Sequence, residues 1–148
     1  QPEINISLIG KQIENEIIYI ECYVECRPKL IKIEWFNGSY LLNLTNQNRL
    51  SFILTRYMHK NNIICQATNQ VGKQNQSITL DIIYKPIFID NYGNELKNYS
   101  VILVNEGESI KLECFVDSSP LSLISWIYNN NIILRNKNIY YIDYFISI

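Results

Sequence analysis

Cys22-Tyr23-Val24-Glu25-Cys26-Arg27-Pro28, followed by Trp35, returns later in the chain as Cys114-Phe115-Val116-Asp117-Ser118-Ser119-Pro120, followed by Trp126. Each copy runs cysteine, aromatic, valine, acid, two small or polar residues and proline. The tryptophans sit in matching segments, Ile33-Glu34-Trp35-Phe36-Asn37 and Ile124-Ser125-Trp126-Ile127-Tyr128-Asn129. A repeat this detailed in 148 residues means two copies of one small domain. The boundary is expected near Tyr84-Lys85-Pro86, where a proline stops ladder pairing. That gives units 1–85 and 86–148.

The pattern around these anchors is all-β. Ile18, Ile20, Cys22 and Val24 fall on one face of a period-two run. Ile31, Ile33 and Trp35 alternate with Lys32, Glu34 and Phe36. Leu50, Phe52 and Leu54 alternate with Ser51 and Ile53, and Ile78, Leu80 and Ile82 with Thr79 and Asp81. β-branched residues fill these runs, which suits a pleated surface. Turn signals separate them at Arg27-Pro28, Asn37-Gly38, Lys60-Asn61-Asn62 and Val71-Gly72. No segment holds a helical period for three turns. With only 5 Gly and 4 Pro, the turns must rely on Asn, whose side chain tolerates left-handed backbone. The 19 Asn and 27 Ile follow an AT-rich codon bias, so their abundance alone carries no argument.

At these residues the chain resembles the immunoglobulin superfamily. The first copy carries the full pattern of Cys22, Trp35 and Cys65-Gln66-Ala67-Thr68-Asn69-Gln70-Val71-Gly72, the last run similar to the family's strand F and F–G turn. The resemblance implies an immunoglobulin-like β-sandwich of the short intermediate or constant-type set, since Cys22 and Cys65 are 43 residues apart. It implies a Cys22–Cys65 bridge between the two sheets with Trp35 packed over it, and Trp126 as the core tryptophan of the second copy. A bridge closing such a loop stabilises by about 4 kcal/mol in the chain-entropy model. Cys26 shares strand parity with Cys22, so alternation alone does not choose between them. The repeat does, because Cys26 aligns with Ser118 and Cys22 with Cys114. Cys26 is then expected unpaired, as an inert thiol at the B–C turn. The chain departs from the family in two ways. Ile63 stands where a tyrosine corner is common, a departure shared by nephrin-like and sialoadhesin-like adhesion proteins. The second copy reads as strands A to E only, with strand E over Tyr144 to Ile148. It lacks strands F and G and a partner for Cys114, so a continuation past Ile148 is expected.

Other chemistry finds little support. A net charge of −1 and scattered Lys and Arg argue against nucleic acid. No run of about 18 apolar residues exists to cross a membrane. The start, Gln1 to Asn5, lacks the basic and apolar regions of a signal peptide, which implies a removed leader or an internal piece. Cys22, Cys26, His59, Cys65 and Cys114 lack zinc-site spacing, so no metal or cofactor is expected. His59 reads as a solvated turn residue. Glu21, Glu34, Asp81 and Glu113 read as solvated outward positions. No nucleophile motif or phosphate-binding loop occurs, so catalysis is not expected.

Asn-x-Ser/Thr sequons at Asn5, Asn37, Asn43, Asn75 and Asn98 are candidate glycosylation sites in an oxidising, secreted setting. The resemblance implies an extracellular recognition module of a cell-surface adhesion protein or receptor. Its expected partner is another cell-surface or matrix protein, itself Ig-like, and the full-length protein is expected to be anchored in a membrane. Outward positions on strands C, F and G are Lys32, Glu34, Phe36, Ile64, Gln66, Thr68, Thr79, Asp81 and Ile83. Phe36 and Ile64 are the apolar candidates for partner contact. The alternative is a structural spacer in a receptor kinase or phosphatase ectodomain or in a secreted matrix protein.

Overall fold

A computed structural model describes residues 2–42, 46–97, 101–105, 107–135 and 139–143. Its contacts divide the chain into two units, 1–84 and 85–148.

The first unit is a sandwich of two antiparallel sheets. One holds β1 (Glu3–Ile9), β2 (Ile17–Glu25) and β5 (Arg49–Ile53), in the order β1-β2-β5. The other holds β3 (Lys32–Asn37), β4 (Tyr40–Leu42), β6 (Asn62–Thr68) and β7 (Lys73–Thr79), in the order β4-β3-β6-β7. This is the immunoglobulin arrangement that the resemblance implies. The inward faces meet in a core of Ile18, Ile20, Cys22, Leu50 and Leu54 against Ile33, Trp35, Ile63, Cys65, Leu80 and Ile82. Period-two alternation names most of this set; Ile63 is not in it, and Val24, Phe52 and Ile78 pack half-buried against the core. Ile31 lies before β3 begins and is 58% exposed, because the strand starts one residue later than the alternation suggested.

Residues 12–14 leave the first sheet and cross to the second. Ile13 pairs in parallel with Ile83, and the Ile83 N–H donates to the Gln12 carbonyl at 2.7 Å. Gly10 permits the departure from β1. Its φ is +113°, and a Cβ there would sit 3.3 Å from the Ile17 carbonyl oxygen. Asparagines take other left-handed positions, at Asn15, Asn46, Asn129 and Asn130. The last two form the two-residue turn between β11 (Ser125–Tyr128) and β12 (Asn131–Arg135), as primed hairpin turns require.

The described strands of the second unit form three two-stranded pairs, and they correct the sequence reading at several points. Pro86 does not end a strand; it lies within β8 (Tyr84–Ile89), which pairs only with β10 (Phe115–Ser119) among the described strands. Proline is tolerated on such an edge because its missing N–H need not face a partner. The strand expected to carry Cys114 is interrupted at that residue. β9 (Ser109–Glu113) pairs with β13 (Ile139–Asp143), whereas β10 turns to β8. The strand E expected over 144–148 lies outside the described residues; among those described, β13 is the strand that pairs with β9. The register β9–β13 is the counterpart of β2–β5 in the first unit. Among the second unit's residues whose side chains are described, none is fully buried. Trp126, Ile110, Leu112, Val116 and Ile124 are half-buried, so Trp126 is not the sealed core residue that Trp35 is.

Candidate recognition face

The frame of the site is the bridge. Cys22 and Cys65 are disulfide-bonded across the two sheets, with Cα atoms 6.4 Å apart. Trp35 is the ladder partner of Cys65 and has no exposed surface. Its indole N–H donates to the Gln47 carbonyl at 2.8 Å, satisfying the one polar atom that burial would otherwise strand. Cys26 and Cys114 are free thiols, both half-buried, and burial pushes the Cys114 thiol up from its ordinary value.

On the reverse of this frame lies the outer face of β4-β3-β6-β7. Directly paired residues share a face, so register assembles it. One row runs Leu41, Phe36, Ile64, Ser77; the next runs Glu34, Gln66, Asn75; the third runs Lys32, Thr68, Lys73. Phe36 and Ile64 are thus side by side, each half-buried, and Leu41 beside them is 46% exposed. Leu41 was missed from the sequence reading. The Asn37-Gly38 turn held the signal, because a two-residue loop over Gly38 and Ser39 fixes Phe36 opposite Leu41. Thr79, Asp81 and Ile83 are exposed.

Glu34 departs from expectation. It faces outward but retains only 8% exposure, on a central strand between β4 and β6. Lys32 compensates its charge at 2.7 Å. His59 departs too. Its Nδ1 accepts the Ile82 N–H at 3.0 Å, and its ring stands edge-on to Tyr84 at 5.5 Å. It braces the turn rather than standing in solvent. Glu21 and Asp81 are largely open, with side chains 46% and 68% exposed, and Glu113 is exposed. Lys60 pairs with Asp81 and holds its carboxyl below the usual carboxylate range.

A second cluster lies near His59, beside Tyr84. Arg56 donates from Nε and Nη2 to the Glu14 carboxylate at 2.8 and 2.9 Å, and its guanidinium lies 5.0 Å over the Tyr84 ring. The pair spans 42 positions of sequence, so no local motif announces it.

The sequons fall in different settings. Asn5 is exposed on β1 and Asn75 is exposed on β7, facing outward beside Gln66. Asn37 is half-buried at the end of β3, with the inward parity of Trp35. Asn43 and Asn98 lie outside the described residues. No group of three or more His, Cys, Asp or Glu side chains that could hold a metal occurs among the described residues. No helix there is long and apolar enough to cross a membrane.

No family model matches the chain. The Irregular chiasm C-roughest protein of Drosophila melanogaster is 27% identical over 125 residues, covering 84% of this chain and 15% of that protein. The synaptogenesis protein syg-1 of Caenorhabditis elegans is 27% identical over 128 residues, covering 84% and 17%. The chain therefore spans about a sixth of the length of these relatives. Among solved structures, the ectodomain of mouse nectin-like molecule 4, with its three Ig domains, superposes with a TM-score of 0.66 at 16% identity, covering 97% of this chain and 55% of that one. A titin tandem of Ig domains gives 0.52 at 18% identity, covering 90% and 71%. These structural likenesses speak to the fold. The sequence relatives are adhesion proteins built of immunoglobulin domains, not enzymes.

Proposed function

We propose that this chain, a member of the immunoglobulin superfamily, is an extracellular protein-recognition module that binds another cell-surface or matrix ectodomain through the outer face of β4-β3-β6-β7. The observation that carries the proposal is the row Leu41, Phe36, Ile64. Three apolar side chains stand together on an outward face, flanked by the polar rows of Gln66, Glu34 and Lys32. An apolar centre within a polar rim is the usual anatomy of a protein interface. The partner chemistry it suits is a flat, mixed surface of the same kind, such as the sheet face of a second immunoglobulin domain. Adhesion relatives support the extracellular setting, and the buried disulfide fits an oxidising compartment. The full-length protein would hold the module at a membrane or in a matrix.

The test is Phe36→Asp in the full chain, displayed on beads and assayed for aggregation and for capture of candidate ectodomains. Truncating an interface anchor typically costs 2 kcal/mol or more, so about a 30-fold loss of affinity is expected. Unchanged aggregation and capture would remove this face from consideration.

A further inference from the structure

The inward alternation of β3 runs Ile33, Trp35, Asn37, and so ends on an asparagine. Its side chain lines a cleft of about 420 Å³ between the two sheets. Leu42, Leu50, Phe52, Met58 and Ile63 make the walls apolar, and Ser51 is the other polar liner. Ile63 and Leu50 form the sealed floor, whereas Leu42, Phe52 and Met58 are half-buried at the sides. The Asn37 side chain makes no hydrogen bond among the described residues. The side chain is half-buried and neither of its polar atoms is sealed from solvent, so the mouth of the cleft stays open beside it. Asn37 also opens the sequon Asn37-Gly38-Ser39, whose Ser39 is exposed on the turn.

We propose that Asn37 carries an N-linked glycan whose first N-acetylglucosamine is seated in this cleft, closing the side of the sandwich between β4 and β5. The proposal rests on the extracellular reading above. In the transfer, Asn37 Nδ2 bonds to the anomeric carbon of a lipid-pyrophosphate-linked oligosaccharide. The bond from that carbon to the pyrophosphate oxygen breaks, the lipid pyrophosphate leaves with the electron pair, and Nδ2 loses one of its two protons. Because the folded side chain points inward, transfer precedes closure of the β3–β4 hairpin. The sugar suits the walls. Its C–H face and acetyl methyl meet Phe52, Met58 and Leu42, and its polar groups reach Ser51 and the solvent at the mouth. Asn5 and Asn75 stand exposed on their strands, so sugars there project into water.

The test uses the full chain secreted from a eukaryotic host in three forms. These are intact, trimmed by endoglycosidase to the single N-acetylglucosamine, and carrying Ser39→Ala, which removes the sequon and keeps Asn37. Peptide mass mapping reports occupancy at every sequon. The expected result is occupancy at Asn37, with the single-sugar form melting as the intact form does and binding no additional anilinonaphthalene sulfonate. Ser39→Ala should melt several degrees lower and gain dye fluorescence. In a Phe52→Ala background, adding Ser39→Ala should no longer shift the melt. Independently of any variant, a labelled acetyl methyl should show nuclear Overhauser contacts to Phe52 and Met58. Sugar at other sequons with Asn37 bare would overturn the inference, as would an occupied Asn37 lacking those contacts. Sugar at none of the five sequons would overturn the extracellular reading and the inference with it.

Discussion

Glu14→Gln probes the ion pair that ties residue 14 to the turn before β6. Both oxygens of Glu14 accept from the Arg56 guanidinium, at 2.8 and 2.9 Å, and the two side chains are only 18% and 11% exposed. Arg56 in turn lies over Tyr84. The pair ties the crossing strand at residues 12–14 to the turn before β6. A glutamine keeps one acceptor, so one charge-assisted bond is lost and the half-buried guanidinium loses its counter-charge. Hydrogen bonds to charged groups contribute about 1.5–3 kcal/mol, so a loss of about 2 kcal/mol is expected. For a unit of this size that lowers the melting temperature by about 8–16 °C. The assay is thermal melting of the full chain, followed by near-ultraviolet circular dichroism, with the exposed Glu16→Gln as control. The pH dependence gives a second check. The Arg56 side-chain bond holds the Glu14 carboxyl below the usual carboxylate range. A depressed folded value makes the contribution complete above the unfolded value and lost as pH falls through the folded one. The gap between wild type and Glu14→Gln should be constant above about pH 5 and narrow towards acid. A neutral-pH loss under about 0.5 kcal/mol, the usual range of surface substitutions, would refute the reasoning, as would a gap that persists unchanged into strong acid.

Two further outcomes follow from the geometry. Asn75 shares the outer face with Gln66 and borders the row of Ile64, so a glycan there would crowd the proposed interface. Asn75→Gln in secreted protein should raise partner affinity severalfold, and a fall in affinity would place the sugar inside the interface as a contact. Replacing both Cys22 and Cys65 by alanine should cost about 4 kcal/mol, from a loop of 43 residues, measured by denaturant unfolding against the oxidised chain.

The sandwich was legible because its determinants are local. Period-two runs such as Ile18, Ile20, Cys22 name the core face, and the repeat distinguishes Cys22 from Cys26. What escaped depends on register or long-range pairing. Glu34 looks solvated from alternation, but a central strand buries outward positions as well as inward ones. His59 reads as a turn residue until Ile82 is seen donating to it. The second copy misled most, since repeat alignment transfers residue identity but not strand continuity. Cys114 aligns with Cys22, yet Cys22 sits in an unbroken β2 whereas Cys114 falls between β9 and β10. Phe36 and Ile64 are legible as outward apolar residues, yet their adjacency and the addition of Leu41 require the ladder register.

That register also explains why such a face is suited to recognition. Phe36 follows Trp35 and Ile64 precedes Cys65, so each candidate anchor is bonded in sequence to a residue with no exposed surface. Trp35 is fixed by its bond to Gln47 and Cys65 by the disulfide. The outward side chains therefore inherit backbone positions set by the most constrained part of the core. Little ordering remains to be done on binding, and preorganisation of this kind lowers the entropic cost of association. The same arrangement separates the two consequences of substitution. Changes at Trp35 or Cys65 act on the sandwich, whereas Phe36 and Ile64 point away from it and give up only mutual cross-strand contact, about 0.2–1 kcal/mol. A Phe36→Asp chain that melts nearly as wild type yet loses partner capture would therefore report on the interface alone.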